Sequence, residues 1–363
     1  MTLISILGDF HSSILPISYE FKEKISKHII VYDDAGHDVK KSWRILRGQK
    51  AFMESLSLNS KSKYEIVTMQ IDEDSYKSID ECYERILTII SSPKDIYLNT
   101  TDGLSSIAVV LSSKFLAIGA KVISYDRYAN TYNLHTANSM QKYTIDHNMD
   151  ISSHLLLKGY TLLSVTEENE LYQRKKTIFD LVKNLVRYKE FTTLIQNNKA
   201  SNLTGYDEYK KLLANIDMID NKGFIQGTVF EEYIYHLIKD NFDFDDVWTG
   251  VKVEYDDSIE NEFDILMIKD NHLHTIECKL VNGLNGEHFV YKTELIKDYL
   301  DDDGKAMILS IGGENIRILK SGKKKRQFTD GDKARASYGD IKIHQSKVFN
   351  EQAFLDDVRV WFL

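Results

Sequence analysis

Apolar runs rich in isoleucine and valine recur along the first third of the chain, at Thr2–Leu7, His28–Asp33, Tyr64–Gln70, Asp95–Asn99 and Lys121–Tyr125. Between them, Val39–Leu56, Tyr76–Ser91 and Leu104–Phe115 carry apolar residues at the three-to-four spacing of an amphipathic helix. Strands joined by helices of this length predict a parallel sheet covered on both faces. No tight hairpin turn separates the runs, which argues against an antiparallel sheet. From about Asn130 to Lys222 the pattern becomes mostly helical, with Ile178, Leu181, Val182, Leu185 and Val186, then Phe191, Leu194 and Ile195, forming a packing stripe. Asn197–Gly205 is polar and reads as a loop. From Gly223 the order changes again. A helix over Gly227–Ile238 precedes strand-like Asp246–Val253, Glu262–Ile268 and His272–Leu280, with a turn at Lys269–Asn271. A helix near His288–Leu300 and strands at Lys305–Ile311 and Ile341–His344 follow, and the end Val358–Leu363 is apolar.

The 363 residues, at roughly 150 per domain, are enough for two domains and a connector. The pattern places the boundaries at 1–128, a mostly helical connector at 129–222, and an α/β unit at 223–363. With 42 % hydrophobic and 28 % charged residues, the chain has the balance of a soluble globular protein. No run approaches the roughly 18 apolar residues of a membrane helix, and Met1–Gly8 leads into a strand rather than a signal peptide. Cys82 and Cys278 are too few for a disulfide framework and lack zinc-site spacing, so a reducing, cytoplasmic setting is expected. The net charge of −9 counts against a nucleic-acid partner when taken whole. It is unevenly spread, however: residues 223–303 carry −14 and residues 304–363 carry +5. The basic last stretch could flank a cleft and guide a phosphate backbone.

The acidic unit holds the most informative residues. Glu277 and Lys279 are two apart on a predicted strand and share a face, and Asp264 on the preceding strand can lie beside them. Two carboxylates and an ammonium converging among apolar neighbours suit metal-assisted phosphodiester hydrolysis. Hard oxygen ligands would hold magnesium or manganese, and the lysine would orient or deprotonate the attacking water. A further carboxylate could come from Glu231 or Glu232 on the helix after Gly227; adjacent helical residues point about 100° apart, so at most one faces the metal. A lone Glu-x-Lys also occurs on many solvated strands; the order helix-Glu, strand-Asp, strand-Glu-x-Lys carries the signal. His272 and His274 alternate onto the opposite face and read as solvated or capping. Lys292 and Lys297 could touch phosphate or be solvated, and Lys320 with Lys323–Arg326 forms a basic run readable as a nucleic-acid contact or a loop tip.

In the N-terminal sheet, two post-strand loops occupy the positions where open α/β sheets bind ligands: Asp9, Phe10, His11, Ser12 and Ser13, and Asn99, Thr100, Thr101, Asp102 and Gly103. Their hydroxyls, glycine and helix-start amides suit phosphate, and equally an ordinary cap and turn. No Gly-x-Gly-x-x-Gly or Walker lysine is present, which disfavours a dinucleotide or nucleoside triphosphate.

The half-motifs Asn261-Glu262-Phe263-Asp264 and Glu277-Cys278-Lys279 resemble those of the PD-(D/E)xK, restriction-endonuclease-like nucleases, although no proline precedes Asp264. Gly227–Tyr233 resembles the glycine-then-paired-glutamate helix of a branch attached to CRISPR systems, and that match favours Glu231 as third ligand. Alongside such a domain, the N-terminal half resembles a CARF domain, the Rossmann-like sensor of cyclic oligoadenylate. Asn99, Thr101, Gly103, Ile107 and Ala108 match its loop, and Asp102, Leu104 and Ser105 depart from it. The resemblance implies a homodimeric CRISPR ancillary nuclease with catalytic Glu231, Asp264, Glu277 and Lys279. Its activator would be a cyclic oligoadenylate, foremost cyclic tetra-adenylate, and its substrate single-stranded DNA or RNA, or a DNA duplex that it nicks. A stand-alone restriction or repair nuclease and a non-catalytic, ligand-gated DNA-binding regulator are the alternatives.

Overall fold

The computed structural model describes residues 1–7, 14–33, 39–59, 64–72, 74–101, 105–256, 259–280, 285–301, 303–311, 316–318 and 324–363. It divides into two compact units, Met1–Thr161 and Leu162–Leu363.

The first unit contains β1 (Thr2–Leu7), α1 (Leu15–Glu20), β2 (Lys27–Asp33), α2 (Val39–Asn59), β3 (Glu65–Ile71), α3 (Tyr76–Ile89), β4 (Ile96–Asn99), α4 (Ser105–Ala117), β5 (Lys121–Asp126), β6 (Thr131–His135), β7 (Met140–Thr144) and α5 (Ile151–Leu157). Its sheet runs β3-β2-β1-β4-β5-β6-β7. The first five strands are parallel, as the strand–helix alternation predicts. Central strands β1 and β2 are almost wholly buried, which is why they read as continuous apolar runs rather than alternating ones. On one face, Ile79, Cys82, Tyr83 and Ile86 of α3 pack with Ile107, Leu111 and Phe115 of α4 over Ile4, Ile29 and Leu98. Strand order reverses between β1 and β4, so the carboxyl ends of these two strands lie side by side. The antiparallel hairpin β6–β7 then extends the sheet, so part of the segment read from sequence as a helical connector is strand.

The second unit begins within β8 (Thr161–Ser164). It contains α6 (Glu168–Val182), α7 (Leu185–Leu194), α8 (Asp207–Ala214), α9 (Val229–Asn241), β9 (Asp246–Asp256), β10 (Ile259–Lys269), β11 (His272–Lys279), α10 (Gly286–Leu300), β12 (Ala306–Ile311), β13 (Ile316–Ile318), β14 (Lys324–Arg326), α11 (Asp330–Tyr338), β15 (Ile341–Ser346) and α12 (Glu351–Phe362). Its main sheet runs β15-β12-β11-β10-β9-β8, antiparallel from β9 to β11 and parallel from β11 to β15. Leu171, Ile178 and Leu181 of α6 join Phe230 and Ile234 of α9 over Ile265, Met267 and Ile276. The helical stripe read from sequence is therefore largely core, with Leu185 partly buried against it, whereas its members Val186 and Leu194 are exposed. The opposite face of the sheet is covered by a smaller cluster in which Val290 and Ala336 meet Ile308 and Ile341. The basic run is not a loop tip throughout: Lys324–Arg326 pairs with Ile316–Ile318, whereas Lys320 and Lys323 lie outside the described residues.

Candidate active site

The hairpin β10–β11 builds the centre of the site. Its two-residue turn, Asp270 and Asn271, has φ of 51° and 69°. Both residues occupy the left-handed region required by the turn type that matches strand twist. The register it sets pairs Ile265 with Ile276, so the next position outward brings Asp264 beside Glu277. The Asp264 carboxylate accepts from the Cys278 amide at 2.7 Å and from the Lys279 ammonium at 3.1 Å. Thr249 holds the backbone there, donating to the Asp264 carbonyl at 2.7 Å. Lys279 Nζ also lies 3.4 Å from Glu277 Oε2. The three residues singled out from the sequence therefore converge.

Glu277 is 3 % exposed, and its Oε1 is buried without a hydrogen-bond partner. Burial, then the Asp264 charge, pushes its pKa up to about 7. Burial and the Asp264 charge also push Glu231, in the first turn of α9, up to about 8. For Lys279, burial opposes the ammonium, but Asp264 and Glu277 outweigh it and hold the pKa above the usual lysine value. Three carboxylates sharing one cation form a cluster short of positive charge. An orphaned carboxylate oxygen at its centre is what a hard divalent ion would satisfy, so the donor set fits magnesium or manganese.

The two glutamates of α9 separate cleanly. Glu232 is fully buried and takes a two-pronged contact from Arg174 of α6, Nε to Oε2 at 2.9 Å and Nη2 to Oε1 at 2.6 Å. Glu231 turns the other way, into the field of Asp264, Lys279 and Glu277. Before α9 the chain makes a π-helical turn, Phe224–Thr228, and a Cβ on Gly227 would stand 3.1 Å from Glu231 Oε1. Wide turns of this kind gather at functional sites. Sequence reading passed over Arg174. Its signal was a cation on the buried stripe of α6, three residues after Leu171 and four before Ile178.

Other sequence readings resolve differently. His274 is buried rather than solvated: it accepts from the Lys305 amide at 3.0 Å and packs on Phe362. His272 lies with Asp301 and Asp303 in a group whose ligand atoms fall within 4.8 Å of one another. Asp301 in that group already accepts from the Leu273 amide at 2.9 Å and the Asp303 amide at 3.1 Å. Lys297 is buried and paired with Asp298, so it is neither a phosphate contact nor a solvated lysine. Lys292 is exposed, within the electrostatic reach of Glu277. Cys278 is buried in the core, and both cysteines are free thiols.

In the first unit, Asn99 ends β4 fully buried. Its Oδ1 accepts from the Thr101 amide and hydroxyl at 3.1 and 2.5 Å, while its Nδ2 is buried without a partner. Thr100 donates to the Ile123 carbonyl, and Thr101 Oγ1 accepts from the Tyr125 amide. Asp9, Phe10, His11, Ser12, Ser13, Asp102 and Gly103 lie outside the described residues. Among the described residues, no helix is long and apolar enough to cross a membrane.

Residues 220–344 match the family model of the Card1-like endonuclease domain. A comparison with curated proteins finds no match. The chain is similar in structure to Can2 from Sulfobacillus thermosulfidooxidans in complex with cyclic tetra-adenylate, with a TM-score of 0.72, 16 % identity, and coverage of 100 % of this chain and 99 % of that one. Protein VC1899 from Vibrio cholerae gives 0.69 and 14 %, covering 95 % and 93 %. A type III CRISPR defence DNA nuclease activated by cyclic oligoadenylate gives 0.51 and 11 %, covering 86 % of this chain and 46 % of that one. In overall fold the chain is thus similar to Can2, and its residues 220–344 carry the match to the Card1-like endonuclease domain.

Proposed function

We propose that the protein is a divalent-metal-dependent endonuclease of type III CRISPR defence, switched on by a cyclic oligoadenylate. The observation that carries this reading is the convergence of Asp264, Glu277 and Lys279 around a buried, unpartnered carboxylate oxygen, with Glu231 facing the same point. Asp264, Glu277 and Glu231 would hold magnesium or manganese. When bound, such an ion polarises a phosphate oxygen and lowers the pKa of a water. Asp264 does two jobs: it fixes the β11 backbone through the Cys278 amide and places the Lys279 ammonium. That ammonium is positioned to donate to an attacking water and to balance charge building on the phosphate. Exposed Lys292 offers a further contact to a nucleic-acid backbone.

The activator site lies where the ends of β1 and β4 emerge together, and includes Asp9–Ser13 and Asn99–Gly103. Its support is the strand reversal, the unpartnered Asn99 amide, and a structurally similar protein that holds cyclic tetra-adenylate. That ring is therefore the first activator to test. A ligand with two-fold symmetry suits clasping by a homodimer. Substrates are single-stranded DNA or RNA, or duplex DNA that is nicked.

The test mixes purified protein, manganese or magnesium, and labelled single- and double-stranded DNA and RNA, with and without each ring size. Cleavage should need both metal and one ring, and Glu277→Ala should abolish it. Normal cleavage by Glu277→Ala overturns the site. Equal cleavage without any ring overturns the switch and leaves a stand-alone nuclease.

A further inference from the structure

We propose that Arg174 is a positioning residue for Glu231, acting through Glu232; this rests on reading Glu231 as a metal ligand. Glu231 and Glu232 are neighbours in the first turn of α9, about 100° apart around the helix, so rotation of the helix decides which carboxylate reaches Asp264. The π-helical turn Phe224–Thr228 makes that choice delicate. It holds one residue more than a normal turn. Relaxation to ordinary helical winding would slip the chain by one residue and carry Glu231 away from Asp264.

Arg174 opposes that slip at two points. Its guanidinium grips both oxygens of Glu232 at 2.9 and 2.6 Å, and it lies 5.4 Å from the ring centre of Phe224, the first residue of the wide turn. A third nitrogen donates to Glu170 on the same helix at 3.1 Å, which aims the fork. Two parallel bonds to a planar partner fix orientation as well as distance. Stability is a poor reason for the pair, because a well-packed apolar replacement of a buried ion pair is often neutral or better. What the fork adds is geometry: it selects Glu231 over Glu232.

The test uses the full chain and two readouts, manganese affinity by calorimetry and thermal stability. Arg174→Met combined with Glu232→Leu removes the fork but keeps the packing, and Arg174→Lys keeps the charge but loses the second prong. Both should melt near the wild type and bind manganese about tenfold more weakly, the scale seen when a ligand's supporting partner is lost. Glu231→Gln should weaken manganese binding in the wild type and add little in the double variant, because the fork acts through that residue. Wild-type manganese affinity in the double variant, with Glu231→Gln still costly there, overturns the positioning role alone. No effect of Glu231→Gln in the wild type overturns the reading of Glu231 as ligand, and the inference with it.

Discussion

Replacing Glu277 by glutamine removes one charge from the site at nearly constant shape and is expected to stabilise the metal-free protein above neutral pH. The folded Glu277 carboxyl is raised from 4.5 to about 7 by burial and by Asp264. Between those values the folded chain keeps a proton that the unfolded chain has released. Unfolding then releases it, so stability falls as pH rises through the window and the loss is complete above the folded pKa. The shift corresponds to about 3 kcal/mol, reduced somewhat because glutamine also gives up the 3.4 Å contact with Lys279. A glutamine titrates nowhere and escapes the loss. At roughly 2–4 °C per kcal/mol for a unit of this size, Glu277→Gln should melt about 4–10 °C above the wild type at pH 8 in EDTA. The gap should close toward pH 5. Circular-dichroism melts at pH 5, 6.5 and 8 measure it, and added manganese should raise only the wild type appreciably. A variant that melts below the wild type at pH 8, or by a margin independent of pH, would refute the claim that Glu277 is held against its own charge.

Three further outcomes follow from the geometry. Lys279→Met removes the only cation within 4 Å of Asp264 and Glu277 among the described residues, and should lower single-turnover cleavage by about 10²–10³; undiminished cleavage would rule out its role. Gly227→Ala puts a methyl 3.1 Å from Glu231 Oε1, so manganese affinity should drop several-fold while the helix itself is favoured by up to about 1 kcal/mol; calorimetry and melting should move in opposite directions. In the first unit, His28 is fully buried against the Ser5 hydroxyl at 2.9 Å, and burial pushes its pKa down to about 3. Protons then bind the unfolded chain preferentially below pH 6.5, so stability is lost as pH falls. His28→Gln should remove about 2 kcal/mol of the loss between pH 6.5 and 5, read from urea unfolding.

The parallel strands β1–β5 were legible because each is a short apolar run separated by a helix-period segment, and the Asp264, Glu277 and Lys279 cluster because strand parity and a short turn suffice to align it. What escaped was set by long-range contacts. Strand β7 is exposed at every position and shows no alternation, so nothing in Met140–Thr144 announced that it pairs with β6. Asn130, at φ 45°, ends the turn before β6 without a glycine to mark it. The π-helical turn has no composition signature, and the division of labour between Glu231 and Glu232 depends on Arg174, 58 positions from Glu232 along the chain. His274 looked solvated because its burial depends on α12, whose Phe362 covers it.

The Asp270–Asn271 turn makes the catalytic pairing a matter of counting. Asp264 and Glu277 stand at equal distances back from the turn, one along each strand. A single residue inserted into the β11 arm would exchange odd for even positions beyond it, presenting Ile276 and Cys278 where Glu277 and Lys279 now stand, and one inserted into the β10 arm would present Ile265 in place of Asp264. Carboxylates would then be driven into the core and aliphatic groups onto the chemistry. The hairpin should therefore tolerate changes of residue far better than changes of length, and arm length rather than local composition is the quantity that natural variation in such a domain is free to alter least.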